Sequence, residues 1–324
     1  MACRLDRRGK PRSTSDVVRT LHWHLLLALP APLPSCSPQS SSSAPVSVPR
    51  PNAPAAVDES TAYMLTLINR DRKAEGLSEV ALDPVASVGA LRHARDMAAH
   101  GFTAHWGSDG SVPEERYTDA GGTDLVQENV ACLFDGVPRE LDPNPRFDPA
   151  KLEQLQKMFM DEVPPNDGHR RNILKPGHVR VGIGLAQPAA VNQPCLSQEF
   201  VDDFGDYSEL PREARRNVTL HVAGKVEPPL AFGGVGLARI AAAKPMSAAE
   251  LNATSTYPIP PPETLYFPPG FKTPKPVKVD GPAFSIDFGL GAGATAGRYE
   301  VSIWGKTPGQ KELFMVSLRT IVVK

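Results

Sequence analysis

The spacing of apolar side chains predicts three amphipathic helices in the first half of the chain. The first covers about residues 60–75, where apolar positions follow one helical face. The second begins at Asp83, an N-cap that is followed by proline at the first helical position, and ends at Gly101. A third begins with the same pair of residue types at Asp148. The pattern therefore predicts three helices, of which the second and third have well-marked starts.

The later part of the chain changes to strand patterns. Short apolar runs at 179–186 and 196–204 predict two strands. After Pro211, runs rich in β-branched and aromatic residues are separated by glycine and proline, as is typical of an all-β sandwich. These runs are 217–226, 283–290, 298–304 and 312–323. The fold class we predict is α+β, with a small sandwich-like β-domain over residues 215–324.

Composition sets limits on organisation and partners. The chain has 324 residues, 41% of them hydrophobic, and a formal net charge of -1. That length predicts roughly two domains. A balanced charge argues against a nucleic-acid-binding surface. Residues 37–58 are rich in serine and proline and predict a flexible linker, because such a segment cannot bury enough apolar area to offset its ordering entropy.

The first 36 residues predict an export signal. Basic residues precede an apolar run at 21–33, which is too short and too proline-rich to span a bilayer. The run ends at Cys36 in the sequence LPSC, which resembles a bacterial lipobox, so Cys36 is a candidate for lipidation. Cleavage near Ser35 and a wrongly assigned start codon are the alternatives. No later segment has 18 apolar residues, so we expect no transmembrane span.

The four cysteines contain no C-x-x-C pair, which argues against a cysteine zinc knuckle. Cys132 and Cys195 lie inside the predicted folded region. In an oxidising compartment these two could form a disulfide, and otherwise they would be two buried thiols.

Three polar clusters in the first half carry candidate chemistry. They contain His105, just after the second helix, then Glu128, then His169. Imidazole and carboxylate groups suit Zn²⁺ and similar divalent cations, and the same groups can act as general acids and bases. Each cluster alone is weak evidence, since an isolated histidine or glutamate is more often a structural or solvated side chain.

The order of the motifs along the chain is more specific than any single motif. The motifs are Asn69-Arg70-Asp71-Arg72, Gly76-Leu77, Leu82-Asp83, Leu91-Arg92-His93-Ala94-Arg95-Asp96-Met97, His105, Glu128-Asn129-Val130-Ala131, Gly168-His169-Arg170-Arg171-Asn172-Ile173-Leu174, Val181-Gly182-Ile183-Gly184 and Gln198-Glu199-Phe200. This order resembles the CAP superfamily of cysteine-rich secretory proteins, venom allergens and plant pathogenesis-related proteins, and especially its bacterial SCP-like branch. The resemblance covers residues 59–210.

The resemblance implies an α-β-α sandwich with a cleft lined by two histidines and two acids. His105 and His169 match the histidines, and Glu128 matches the acid of the family's G-E-N motif, although glutamine precedes it here. The second acid follows a tryptophan in the family, and that tryptophan is absent here. It is Glu162 or Asp161, depending on the residue that replaces the tryptophan, and Glu162 is the preferred assignment.

Other histidines are interpreted structurally. His93 and His100 share a helical face and are assigned to packing or solvent. His178 follows a Pro-Gly turn and is expected to be exposed.

Three functions remain open at this stage. The first is an exported binding module whose cleft holds Zn²⁺ or another divalent cation weakly, or a small ligand, peptide or lipid of the cell envelope. The second is a metal-assisted or acid–base hydrolase that uses the same cleft, against which stands the absence of H-E-x-x-H and G-x-S-x-G motifs. The third is a structural envelope protein with a vestigial cleft. All three place the protein in a bacterial periplasm, on the cell surface or outside the cell, with a lipid anchor if Cys36 is lipidated.

Overall fold

A computed structural model describes residues 50–254, 257–291 and 293–324. The predicted export signal, Cys36 and the linker up to residue 49 lie outside the described residues. In chain order, the elements are α1 (Val57–Ala74), β1 (Ala81–Leu82), α2 (Pro84–His100), α3 (Pro113–Asp119), β2 (Leu125–Cys132), α4 (Pro149–Met160), α5 (Gly168–Ile173), β3 (His178–Ala186), β4 (Cys195–Asp202), β5 (Gly205–Tyr207), β6 (Glu213–Ala214), β7 (Thr219–Val226), β8 (Ala231–Ile240), α6 (Ala248–Asn252), β9 (Thr264–Tyr266), β10 (Lys278–Asp280), β11 (Ala283–Gly289), β12 (Gly297–Lys306) and β13 (Phe314–Val323).

The first module is a three-layer α-β-α sandwich. Its four strands lie in the order β1-β3-β4-β2, with β1 parallel to β3 and the other pairs antiparallel. Helix α2 packs on β3 and β4 on one face, while α1 and α4 pack together on the opposite face. The predicted fold class is therefore confirmed. A disulfide joins Cys132 to Cys195, which are partners in the register of β2 and β4.

Helix α2 has the two ends that its sequence predicts. One carboxylate oxygen of Asp83 accepts hydrogen bonds from the backbone N–H groups of Val85 and Ala86, at 2.8 and 2.9 Å. At the other end Gly101 has φ of 72°, in the left-handed region that favours glycine, and its N–H bonds the carbonyl of Met97. This cap turns the chain directly into the loop that carries His105.

Two glycines of β3 allow α2 to lie close to the sheet. A Cβ at Gly182 would meet the backbone of Ala86 at 2.2 Å, and one at Gly184 would meet the backbone of Ala90 at 2.1 Å. No side chain fits at either position without moving the helix. The position of α2, and of the loop that follows it, therefore depends on these two residues.

The second module is a β-sandwich. One sheet has the order β10-β11-β7-β5 and the other β6-β13-β12-β8-β9. A core of aromatic and branched aliphatic side chains fills the space between them. The sandwich starts at β5, Gly205–Tyr207, which pairs with β7 and precedes residue 215.

Strand β13 joins the sandwich to the first module through hydrogen bonds. The Ser317 hydroxyl donates to the carbonyl of Thr123 at 2.5 Å, and the Thr320 N–H donates to the Thr118 hydroxyl at 3.3 Å. The described residues from 50 onward belong to one compact unit. None of the helices in the described part of the chain is long and apolar enough to cross a membrane.

The prediction that His178 is exposed is wrong. His178 is the first residue of β3 and is buried, because its ring stacks on Phe200 with a centroid separation of 5.0 Å. Its Nδ1 lies 2.8 Å from the Asp202 carboxylate. Burial lowers the pKa of His178 despite that carboxylate. This histidine is therefore a buried structural residue of the first module, and its Nε2 contacts Asn172 of the cleft lining at 2.8 Å.

Candidate functional site

A cleft of about 510 Å³ lies at the edge of the first module beside β2. Its volume is typical of sites for small ligands. The loop after α2 supplies His105, β2 supplies Glu128, and α5 supplies His169 to its lining. Glu162, which follows α4, completes this group, whereas Asp161 is absent from the lining. The cleft thus brings together three residues that the sequence motifs single out and one of the two alternatives for the fourth.

His105 and Glu128 form one half of the site. His105 Nδ1 lies 3.0 Å from Glu128 Oε1, so the ring and the carboxylate are hydrogen-bonded. The other carboxylate oxygen accepts hydrogen bonds from Arg116 at 2.7 Å and from the Ser197 hydroxyl at 3.1 Å. Arg116 also donates to the backbone carbonyl of His105 at 3.1 Å. One buried arginine therefore fixes both the acid and the loop that carries the histidine.

Glu128 is ionised in this setting. Burial by itself would raise its pKa, but the charge of Arg116 and the hydrogen bond with His105 outweigh burial and hold the pKa well below its ordinary value. The neighbouring His93 is fully buried, and its Nε2 bonds the carbonyl of Ala104 at 2.7 Å. Burial and the charge of Arg116 lower the pKa of His93 to about 4, so this ring is neutral near pH 7.

Glu162 and His169 form the other half. His169 Nδ1 lies 2.5 Å from Glu162 Oε1, and the backbone N–H of His169 donates to Oε2 at 2.8 Å. The same carboxylate thus orients the imidazole ring and accepts a hydrogen bond from the first turn of α5. Asp161 points elsewhere and pairs with Lys157 on the surface at 2.6 Å. The contact with His169 distinguishes Glu162 from Asp161.

Both cleft histidines use the same ring nitrogen, Nδ1, to contact a carboxylate. Their ring centroids are 6.3 Å apart, and each ring bonds its carboxylate through Nδ1. Among the described residues, no hydrogen bond involves Nε2 of His105 or His169. The described residues also contain no group of three or more His, Cys, Asp or Glu that could hold a metal ion. A cation at this place would therefore have two protein nitrogens and would need other ligands, such as water.

Asn129 connects the two halves. Its side-chain NH₂ donates to the backbone carbonyl of His169 at 3.1 Å, and its carbonyl oxygen accepts from Asn172 at 2.9 Å. It follows Glu128 on β2, so its side chain lies on the opposite face of the sheet from that carboxylate. This alternation places one residue against His105 and the next against α5.

The sequence motifs do not reveal three other residues of the cleft lining. Glu114 of α3 lines the cleft together with Tyr257 and Ile259, which belong to the second module. The Tyr257 hydroxyl donates to the Glu114 carboxylate. Burial raises the pKa of Glu114, although Glu300 and Tyr257 oppose the shift by hydrogen bonding. In the local sequence, only Pro113, at the first position of α3, indicates that a helix begins here.

One protein family matches the chain. Residues 65–200 match the sequence model of the CAP family, described as the cysteine-rich secretory protein family. A comparison with curated proteins gives no match.

Two solved structures resemble part of the chain. An extracellular protein containing an SCP domain from Bacillus anthracis strain Ames is 21% identical, with 45% of this chain and 41% of that protein covered and a TM-score of 0.32. An outer surface protein from Borrelia burgdorferi is 14% identical, with 46% of this chain and 98% of that protein covered and a TM-score of 0.36. The chain thus spans less than half the length of the Bacillus protein.

Proposed function

We propose that the protein is a binding protein whose cleft holds a divalent cation weakly through His105 and His169. The match of residues 65–200 to the sequence model of the cysteine-rich secretory protein (CAP) family supports a domain of that type. The observation that carries the proposal is the pairing of each cleft histidine with its own carboxylate through Nδ1. Metal-binding histidines commonly have this second interaction, which fixes the tautomer and leaves Nε2 as the ligand atom.

The residues present suit Zn²⁺ or a similar cation. Neutral imidazole is a preferred ligand for such metals. A bound cation would supply a positive centre with open coordination positions for water or for a polar group of a ligand. With two protein ligands, affinity is expected to be low.

The state of Glu128 favours binding over hydrolysis. A general base must be free to accept a proton from water or substrate. Both oxygens of Glu128 are already engaged, one by His105 and the other by Arg116 and Ser197. The low pKa of Glu128 also makes it a weak base. Its role in the proposal is to orient His105.

The ligand and the location complete the proposal. We propose that the cation or the cleft around it takes a small ligand, peptide or lipid of the cell envelope. The N-terminal segment of the sequence supports export, with Cys36 as the point of lipid attachment.

Equilibrium dialysis of Zn²⁺ against the metal-free protein tests the cation site. We expect weak binding by the wild type and loss of that binding in the double variant His105→Ala/His169→Ala. The matched control is His100→Ala/His221→Ala, which removes two exposed histidines that lie outside the cleft. Equal zinc uptake by the wild type and by the cleft variant would contradict the proposal.

A further inference from the structure

The chain between β8 and β9 runs along the loop that carries His105. The Met246 N–H donates to the carbonyl of Ser108 at 2.9 Å. Asn252 bonds the backbone on both sides of Phe102: its side-chain oxygen accepts from Thr103 at 2.9 Å and its NH₂ donates to Gly101 at 3.3 Å. A segment of the second module is thus attached to a functional loop of the first.

Apolar packing holds the same segment in place. Leu251 of α6 is fully buried and shares a core with Met97 and Phe102. Farther along, the Tyr257 ring packs edge-on against Trp106, the residue after His105, with centroids 5.1 Å apart. The attachment therefore extends over the whole loop, from its start at Gly101 to the residue that follows His105.

The segment reaches the cleft through two side chains. Tyr257 and Ile259 both line it, together with residues of α5. The Tyr257 hydroxyl is bonded to Glu114, so the part of this side chain left for a ligand is mainly ring carbon. The Ile259 side chain is 36% exposed, so part of its surface is open to a ligand. Ile259 thus adds an apolar side chain to a cleft lined largely by polar residues.

We infer that Tyr257 and Ile259 form a wall that determines which groups can reach His105 and His169. The inference rests on the proposed function, in which these histidines contact the ligand. The wall narrows the approach and offers an apolar surface beside a polar site. It thereby favours a ligand with a slender polar end and an apolar group that packs on Tyr257 and Ile259.

Acylation of histidine by diethyl pyrocarbonate measures access to the cleft without requiring a metal. The reagent attacks an unprotonated ring nitrogen, which in both cleft histidines is Nε2 if Nδ1 donates to the carboxylate. The full chain is treated with a chelator, modified for increasing times and digested. Mass spectrometry then gives a separate rate for each histidine. His100 is exposed and serves as the internal reference.

Two substitutions at one position give opposite expectations. Ile259→Trp enlarges the wall and is expected to slow the acylation of His105 and His169 several-fold relative to His100. Ile259→Ala is expected to accelerate it. Val279→Trp is the matched control, because Val279 is a similarly exposed aliphatic residue on β10, outside the cleft lining. It should leave the cleft rates unchanged.

The results separate this inference from the metal proposal. Opposite shifts at both cleft histidines support the wall even if the protein binds no zinc. The inference about the wall would be overturned, even if the protein binds zinc, by either of two results. One is that the acylation rates of His105 and His169 are unchanged in both Ile259 variants. The other is that Val279→Trp changes these rates as much as Ile259→Trp does. Ile259 contributes little to the core, so Ile259→Ala should fold. Acylation of the fully buried His93 would reveal any variant that has not folded.

Discussion

Charged side chains, one buried and one partly buried, contact the cleft histidines and hold them in position. Arg116 is almost fully buried and contacts both Glu128 and the backbone of His105. On the other side of the cleft, Glu162 bonds the ring and the backbone of His169. Burial of a charge is unfavourable unless it is paired. The position of each histidine is therefore coupled to an ion pair or a charge-assisted hydrogen bond.

The role of Glu162 can be separated from that of its neighbour. Glu162→Gln removes the charge that orients His169 and is expected to weaken zinc binding by about 10-fold or more, as for other partners of metal-bound histidines. Asp161→Asn is the matched control, since Asp161 pairs with Lys157 on the surface. Competition with a chromophoric chelator measures both affinities. Equal losses in the two variants would contradict this role for Glu162.

Arg116 should matter more for stability than any surface arginine. Arg116→Met leaves Glu128 buried without its cation, and removal of one partner of a buried pair costs about 3–5 kcal/mol. The double variant Arg116→Met/Glu128→Gln should recover part of this loss, because the unpaired charge is gone. Urea unfolding curves give the free energies of unfolding. A double variant less stable than Arg116→Met would show that the charge pairing is not the cause.

At the level of elements, the contact between α2 and β3 positions the first half of the site. It depends on glycines where a Cβ would overlap the helix backbone. Gly184→Ala should therefore displace α2, with a cost of at least about 1–3 kcal/mol from overpacking. Urea unfolding measures that cost.

Gly168→Ala provides the control for this substitution. A Cβ at Gly168 meets no atom within 4 Å, so the variant should have nearly the stability of the wild type. Equal stability of the Gly184 and Gly168 variants would mean that the helix can shift away from the sheet without cost.

The elements with clear end signals can be predicted from the sequence, and those without such signals cannot. The N-caps at Asp83 and Asp148 indicate the starts of α2 and α4. Helix α3 lacks a side-chain cap and is buried on nearly all sides, so its polar sequence shows no hydrophobic face. The charged residues of α3 can be buried because they form ion pairs and hydrogen bonds with residues that are distant in the sequence. Strand β8 escapes prediction because glycines interrupt its apolar pattern.

The cleft residues, too, can be predicted from the sequence only in part. Family resemblance identifies His105, Glu128 and His169, but it leaves two acids for the fourth position, because counting residues from a missing tryptophan is ambiguous. The contact between Glu162 and His169 distinguishes them. Tyr257 lies 143 residues after Glu114 along the chain, so the local sequence gives no indication that the two meet.

At the level of the whole molecule, buried acids lie where the two modules meet. Arg298 of β12 pairs with Glu115 of α3. Next to this pair, Glu300 faces Glu114. Burial raises the pKa of Glu300 to about 9, and the charge of Glu114 adds to the shift while Arg298 opposes it. Glu300 is therefore protonated near pH 7, and the two carboxyl groups can share a hydrogen bond.

This proton makes stability depend on pH. Between its ordinary pKa of 4.5 and about 9, Glu300 keeps a proton in the folded protein that the unfolded chain has lost. Its contribution to folding is therefore fully present below pH 4.5 and falls as pH rises through this window, by up to about 1.4 kcal/mol per pH unit. Glu300→Gln cannot ionise and should lose less stability over the same range.

Urea unfolding of the wild type and Glu300→Gln at about pH 5 and about pH 8 tests this dependence. The variant should gain stability relative to the wild type as pH rises, since an amide can still donate a hydrogen bond to Glu114. Glu312→Gln is the control, because Glu312 is exposed and should give the same difference at both pH values. If the free energy of unfolding changes equally with pH in the two variants, the pKa of Glu300 in the folded protein is not raised. The contact between the modules would then depend on the Arg298–Glu115 pair and the packing of the segment before β9, both of which should be insensitive to pH in this range.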